Sequence, residues 1–197
     1  IDYCTKKRVE YRSLVEQLVT GSGLLDMSRQ MNLRPECIEN RFERLSRVAL
    51  AIHADLLEAL PMQEDFVADG FETFSYSQYY PNHANILVGK GSEFIYTLGF
   101  ANLRRKGRMT AAQKRKRTEL EKRGKAQPKA IEQSMGCLVA DITQRLIMKG
   151  VSKKMLYTDE HAAYPRAFRK IEGFSRLFTH VRIPSKNRVL RARLLSA

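Results

Sequence analysis

The sequence predicts a mixed α/β protein: a helical N-terminal domain, residues 1–60, and a larger domain, residues 61–197, built on a mixed five-stranded sheet. Two observations predict this class. Apolar residues recur every three or four positions in the first domain, as in amphipathic helices, and alternate or form short blocks from residue 65 onward, as in strands. The elements of the second domain follow the order β-β-β-α-β-α-β, so three antiparallel strands precede strands that are reached through helices.

The composition is that of a basic globular protein. Of the 197 residues, 43% are hydrophobic and 28% are charged, and the net charge is +14. A surplus of this size favours a polyanionic partner such as nucleic acid, although other basic proteins share it. No apolar run approaches the roughly 18 residues of a membrane span, and three scattered cysteines form no disulfide framework. We therefore expect no membrane partner and a reducing, cytoplasmic setting.

The first domain contains short helices separated by recognisable turns. A stripe of apolar residues predicts a helix over 11–19, and a second helix covers 24–31. Asn32 tolerates the left-handed backbone of a tight turn, and Pro35 suits the first turn of a third helix, because its missing N–H is not needed there. The third helix is predicted over 35–47 and a further helix over 48–60.

Two short helices joined by a tight turn form a helix-turn-helix unit. The small Ser28 and the apolar Ile38 stand where this motif requires such residues, and an ordinary helical hairpin is the alternative. The expected core of the unit is Met27, Met31, Leu33, Ile38, Phe42 and Leu45.

The second domain begins with three predicted strands, 66–74, 84–89 and 93–101, joined by short polar turns as in an antiparallel meander. A charged block over 104–125 follows. A run of charges of this kind indicates either a solvated segment or one that binds phosphates. The remaining predicted elements are an amphipathic helix over 130–148, a strand over 153–159, a helix over 161–171 that breaks at Pro165, and a strand over 178–184.

Two of these strands run directly into an aspartate. Phe66, Val67 and Ala68 lead to Asp69, and the apolar residues before Thr158 lead to Asp159. A carboxylate next to a buried strand is costly to desolvate unless water, a partner or a metal compensates its charge. The pair predicts a metal-binding site, and the alternatives are a turn aspartate at Asp69 and a helix cap at Asp159.

Three segments, residues 67–83, 103–110 and 157–168, resemble the DDE transposases of bacterial insertion sequences, which belong to the ribonuclease H-like integrase superfamily. The helix-turn-helix that precedes them is similar to the segment with which such enzymes bind DNA ends. The resemblance implies a ribonuclease H-like fold, in which the first and fourth strands are neighbours at the centre of the sheet. Asp69 and Asp159 would then meet in one site.

The resemblance also implies an activity. Asp69 and Asp159 would be catalytic residues and ligands of two Mg²⁺ (or Mn²⁺) ions, which support metal-dependent cleavage and strand transfer of double-stranded DNA at element ends and targets. It implies a homo-oligomer when active and a bacterial, nucleoid-associated location. The alternative functions are a DNA-binding regulator whose ribonuclease H-like domain is only a scaffold, and a nuclease that acts on RNA or a hybrid.

Basic residues in two regions are candidates for DNA contact. Those after the third strand would hold phosphates without reading bases, and those of the third helix would contact bases or phosphates, although three glutamates on that helix oppose tight groove binding. The candidates are Arg34, Asn40, Arg41, Arg44, Arg104, Arg105, Lys106 and Arg108.

The resembled family uses a third acid, normally a glutamate on the helix after the last strand. No Asp or Glu follows Glu172, which itself precedes that strand, and residues 186–197 have the pattern of a segment that just enters or misses the helix. We therefore expect a C-terminally truncated fragment that binds DNA but cleaves it poorly, whose full gene continues past Ala197 into the helix that supplies the acid.

Overall fold

The structure, a computed structural model, describes residues 9–75 and 77–184. The chain divides into two compact units, with the boundary between Leu60 and Pro61. Among the described residues, no helix combines the length and the apolar character that a membrane crossing requires. The predicted C-terminal segment 186–197 lies outside the described residues.

The first unit contains three helices, α1 (Tyr11–Val19), α2 (Leu24–Gln30) and α3 (Pro35–Ala59). One buried residue from each helix, Leu14, Met27 and Ile38, forms the centre of its core. Partly buried apolar residues pack around this centre, including Met31, Leu33 and Phe42 from the predicted core. The predicted Leu45 is not part of this cluster. These contacts confirm the helical first domain and most of its predicted core.

The turn between α2 and α3 has the predicted geometry. Asn32 adopts a left-handed conformation with φ of 49°. The Ser28 hydroxyl donates to the Leu33 carbonyl at 2.5 Å and so closes the turn. Ser28 is one of the few polar residues of this unit that are buried, and this hydrogen bond satisfies its hydroxyl.

The predicted boundary between two helices at residues 47 and 48 is wrong. α3 runs without interruption for 25 residues, from Pro35 to Ala59. The segment contains no internal glycine or proline, and its leucines, alanines, arginines and glutamates all favour a helix. The helix ends where Leu60 precedes Pro61, because a residue before proline is disfavoured in the helical conformation.

The second unit contains a five-stranded mixed sheet, which confirms the predicted fold class. The strand order is β3-β2-β1-β4-β5. The first three strands pair antiparallel, whereas β1 with β4 and β4 with β5 pair parallel. This is the ribonuclease H-like arrangement, with β1 and β4 adjacent. The strands are β1 (Phe66–Phe74), β2 (Pro81–Gly89), β3 (Ile95–Asn102), β4 (Lys154–Thr158) and β5 (Phe178–Arg182).

The helices of this unit differ from the prediction in several places, and one difference is an unpredicted short helix, Phe174–Leu177, before the last strand. The charged block contains a helix, α4, whose start is fixed by a capping box in which Thr110 and Gln113 each bond the other's backbone N–H. Pro165 does not break the helix after β4, because it lies in the first turn, where no backbone donor is needed. The helices are α4 (Ala111–Arg123), α5 (Ala130–Met148), α6 (Ala163–Phe168) and α7 (Phe174–Leu177).

The helix α5 has the predicted bounds and supplies much of the core. Its predicted apolar residues Met135, Leu138, Ile142 and Leu146 are buried, and the helix packs against β2, β3 and α6. Burial of each of these side chains stabilises the fold by roughly 1.5–3 kcal/mol relative to an exposed position. The helix therefore covers one side of the sheet at β2 and β3, and β2 is the neighbour of the strand β1 that carries Asp69.

A buried carboxylate connects α5 to α6. Glu132 is 4% exposed, and its two oxygens accept from Lys170 at 2.5 Å and from Arg166 at 3.1 Å. These two hydrogen bonds, first that from Lys170 and then that from Arg166, hold the pKa of the Glu132 carboxyl below its ordinary value. Since a lowered pKa favours the charged form in the folded state, the bridge contributes stability above the pKa of the unfolded chain.

We expect Glu132→Gln to lower the melting temperature at neutral pH, because the amide cannot form the two ion pairs. In the wild type this contribution is lost as the pH falls below the ordinary glutamate value of 4.5 and through the lower folded value. Melting temperatures from pH 7 to pH 3 should therefore converge for wild type and variant. Glu119→Gln, which removes an exposed pair with Lys122, is the control, and an equal effect there would contradict the prediction.

Candidate functional site

The fold brings Asp69 and Asp159 together although 90 residues separate them in the chain (159 − 69). The parallel pairing of β1 with β4 ends at Ala68 and Thr158, which are register partners. Each aspartate follows directly after this last pair. Since neighbouring strands lie about 4.8 Å apart, the two backbones are adjacent at this point. Asp69 lies within β1, as the predicted span 66–74 implies, because β1 continues to Phe74 beside β2.

Both aspartates are half-buried and bond to the backbone next to them. An oxygen of Asp69 accepts from the Gly70 N–H at 2.8 Å. An oxygen of Asp159 accepts from the His161 N–H at 2.9 Å, which is the turn-forming bond expected of an aspartate before a helix. These bonds fix the direction of each carboxylate and leave both side chains partly accessible to solvent.

A group of aromatic and imidazole side chains lies beside the two carboxylates. The His83 ring lies 6.2 Å from the His161 ring, which lies 5.0 Å from the Tyr164 ring. His83 and Tyr164 are buried, whereas His161 is exposed. The sequence pattern places His83 in a turn and does not reveal this group, which needs the pairing of β1 with β2 to assemble.

Gly70 is the one feature of the sequence that could have indicated this group. A Cβ at Gly70 would lie 2.1 Å from His83 Cε1 and 2.9 Å from the Tyr164 hydroxyl oxygen. No real side chain tolerates the first of these distances. The glycine after Asp69 is therefore required because two buried side chains occupy the space beside it, rather than for a turn.

The charges of the site act on both buried rings. Burial and the nearby His161 lower the pKa of His83, although Glu72, Asp159 and Asp69 oppose this shift. Burial, followed by the two carboxylates Asp159 and Asp69, raises the pKa of Tyr164. At neutral pH His83 is therefore uncharged and Tyr164 keeps its proton, and both side chains lie within the field of the two aspartates.

The donor set suits a hard cation. Mg²⁺ in proteins is typically held by one or two carboxylates together with water and phosphate oxygens, which two adjacent and partly accessible aspartates satisfy. In the described part of the chain, no three histidine, cysteine, aspartate or glutamate side chains are grouped so that they could hold a metal ion together. Glu172 lies in the connection between α6 and α7 and precedes β5, as the sequence predicted.

The candidate DNA contacts after β3 have different environments. Arg104 is already paired, since it donates to Glu121 at 2.7 and 2.9 Å. Arg105 donates to Gln78 at 2.8 Å, and its guanidinium lies 4.6 Å above the Tyr79 ring. Lys106 and Arg108 are exposed. The exposed pair is thus better placed to meet phosphates than Arg104.

The candidate DNA contacts in the first unit also differ in their exposure to solvent. Arg34 occupies the N-cap position of α3 without a side-chain capping bond and is exposed, and Asn40 is also exposed. Arg44 is half-buried, and Arg41 is only 7% exposed. Arg41 lies on the side of α3 that also carries the buried Ile38. The sequence pattern did not distinguish Arg41 from the exposed candidates.

No protein-family model matches the chain. No curated protein matches it. Among solved structures, the chain is similar to endonuclease V from Ciona intestinalis in complex with a 23mer DNA, with 8% identity and a TM-score of 0.21. The match covers 56% of this chain and 45% of that chain. A likeness this weak carries no argument about this protein.

Proposed function

We propose that the chain is a DDE-type DNA transposase that binds insertion-sequence ends and catalyses metal-dependent strand cleavage and strand transfer. The observation that carries the proposal is the juxtaposition of Asp69 and Asp159 where the pairing of β1 with β4 ends. Two carboxylates at adjacent strand positions are the donor set that phosphoryl-transfer sites use for paired divalent ions.

In this proposal each group of the site has a stated task. Asp69 and Asp159 would hold two Mg²⁺ or Mn²⁺ ions, which when bound would supply activation of the attacking oxygen and stabilisation of the leaving oxygen. The backbone N–H groups of Gly70 and His161 orient the two carboxylates. The protonated Tyr164 and the neutral His83 fill the space behind them and exclude water.

The positive charge of the chain positions the DNA. Lys106 and Arg108 hold backbone phosphates near the site, and Arg105 holds another from its place over Tyr79. In the first unit Arg34, Asn40 and Arg44 contact the element end through the helix-turn-helix, whereas the buried Arg41 does not. The active form is a homo-oligomer, because two element ends must be joined, and it works on the bacterial nucleoid.

The test is a cleavage assay on end-labelled duplex DNA with Mg²⁺, with Mn²⁺ and with EDTA. We expect slow cleavage that requires the metal, because two carboxylates hold the ions less firmly than three. Cleavage of RNA or of a hybrid in preference to duplex DNA would instead indicate a nuclease. Absence of both cleavage and Mn²⁺ binding would overturn the proposal.

A second function, a DNA-binding regulator with a non-catalytic scaffold, is favoured by one observation: the described residues group no third acid with the aspartates. Mn²⁺ binding separates the two functions. A regulator does not require an ion at Asp69 and Asp159, so no Mn²⁺ binding is expected there. A transposase binds Mn²⁺ at these residues even when cleavage is slow.

Replacing both Lys106 and Arg108 by glutamine should weaken binding to duplex DNA. A plot of the logarithm of the binding constant against the logarithm of salt concentration should also become less steep by about 2, one for each lost phosphate contact. Arg104→Gln should change this slope less, because Arg104 is already paired with Glu121. Anisotropy titrations between 50 and 200 mM salt, roughly the range over which such contacts are lost, measure the slopes. The control is Lys153→Gln, an exposed lysine before β4, and an equal change there would contradict the assignment.

A further inference from the structure

A groove of about 1010 Å³ lies in the second unit, next to the segment that carries Arg104 and Arg105. The end of β3, the helix α4 and the start of α5 form its walls. Its volume is at the upper end of the range for small-molecule sites, so it is large enough for a nucleotide. The two aspartates are not among its lining residues.

Two aromatic residues that line this groove are exposed to solvent. Tyr80 is 45% exposed and Phe100 is 68% exposed, and both line the groove. Large apolar rings gain little from facing water, but they stack well on nucleic-acid bases, each of which has a flat π-face. The amide side chains of Asn82 and Gln133 line the same groove and can bond to base edges.

The groove is also positively charged. Four basic side chains, Arg104, Arg105, Arg117 and Lys125, line it against one acid, Glu121. Arg105 is held in place by Gln78 and Tyr79. A guanidinium oriented in this way is geometrically suited to a phosphate oxygen.

We propose that this groove binds an unpaired nucleotide of the DNA strand. This inference rests on the proposed function. A paired base is already stacked on both faces and bonded at its edge, so rings and amides of this kind suit a base that has left the duplex. The groove thus combines the stacking, edge-bonding and phosphate-binding groups that a single nucleotide needs.

The position of the groove favours a nucleotide within a strand over a free one. Asn82 pairs with Thr73, four residues along β1 from Asp69 (73 − 69). Four residues of antiparallel strand span about 14 Å, which corresponds to about four phosphate steps of a DNA strand. A strand whose phosphate lies at the aspartates therefore has neighbouring nucleotides within reach of the groove.

The test compares anisotropy titrations, in EDTA, of a blunt duplex and of the same duplex with a short single-stranded overhang. We expect the wild type to prefer the overhang. Phe100→Ala and Tyr80→Ala should each weaken overhang binding about tenfold, within the range for loss of one stacking ring, and leave blunt-duplex binding unchanged. An overhang of abasic sites should bind wild type as weakly as the blunt duplex.

The matched control is Leu98→Ala, since Leu98 lies on the same strand, is 51% exposed and does not line the groove. It should behave as wild type. Equal binding of both duplexes by the wild type, or competition by free thymidine monophosphate at matched concentration, would overturn the inference and leave duplex binding intact. Tighter binding of a single-stranded RNA would overturn the assignment to DNA. Absence of all DNA binding would overturn the proposed function itself.

Discussion

Replacing Asp69 or Asp159 by Asn is expected to weaken Mn²⁺ binding by at least about tenfold, and replacing both to abolish it. Each substitution removes one negative charge next to the ion, and charge pairs at such sites contribute several kcal/mol, whereas about 1.4 kcal/mol already changes affinity tenfold. Metal-dependent cleavage should fall at least about 100-fold with either change. Calorimetric titration with Mn²⁺ and the cleavage assay measure the two effects.

The amide is chosen because it keeps the shape of the site. An Asn oxygen can still accept from the Gly70 and His161 N–H groups, so the melting temperature and duplex affinity should change little. Asp141→Asn, on the exposed side of α5 and paired with Arg145, is the control. If Mn²⁺ affinity survives in the double variant, the ion binds elsewhere and the transposase proposal is lost.

Gly70→Ala is expected to destabilise the second unit by roughly 1–3 kcal/mol, the usual range for an overpacked core. The added Cβ would lie 2.1 Å from His83 Cε1. Because His83 is 4% exposed and packed beside Tyr164, it has little room to move. The displacement should also disturb Asp69, since the Gly70 N–H holds that carboxylate. Chemical denaturation measures the loss, and Mn²⁺ titration measures the effect on the site.

A second glycine serves as a control that distinguishes steric crowding from the general effect of replacing glycine by alanine. Gly124 has an extended backbone, and a methyl group added there would meet nothing within 4 Å. Gly124→Ala should therefore be neutral or slightly stabilising, because alanine restricts the unfolded chain. Adding His83→Ala to Gly70→Ala removes the clash with His83 and leaves only the contact with Tyr164, so it should restore part of the stability. A Gly70→Ala protein as stable as wild type would show that the packing beside Asp69 is loose.

Elements whose signal is local could be predicted from the residues alone. The bounds of α5 follow from apolar residues three or four apart, and β1 covers the predicted span 66–74. The left-handed Asn32 follows from its own tolerance of that conformation. α4 was missed although its Thr110 capping box is also local, because the density of charge suggested a solvated segment. In each of these cases the information lies within a few residues, where backbone preferences and capping act.

The candidate site depends on contacts between distant parts of the chain. Nothing local to Asp69 or Asp159 indicates their adjacency, which the resemblance implied and the pairing of β1 with β4 produces. The contact of Gly70 with His83 and Tyr164, the pairing of Arg104 with Glu121 and the burial of Arg41 likewise appear only in the folded chain. A sequence pattern specifies which residues are apolar or charged and with what period. Which charges meet, and which glycine has no room for a methyl group, is decided by the packing of elements that are far apart in the chain.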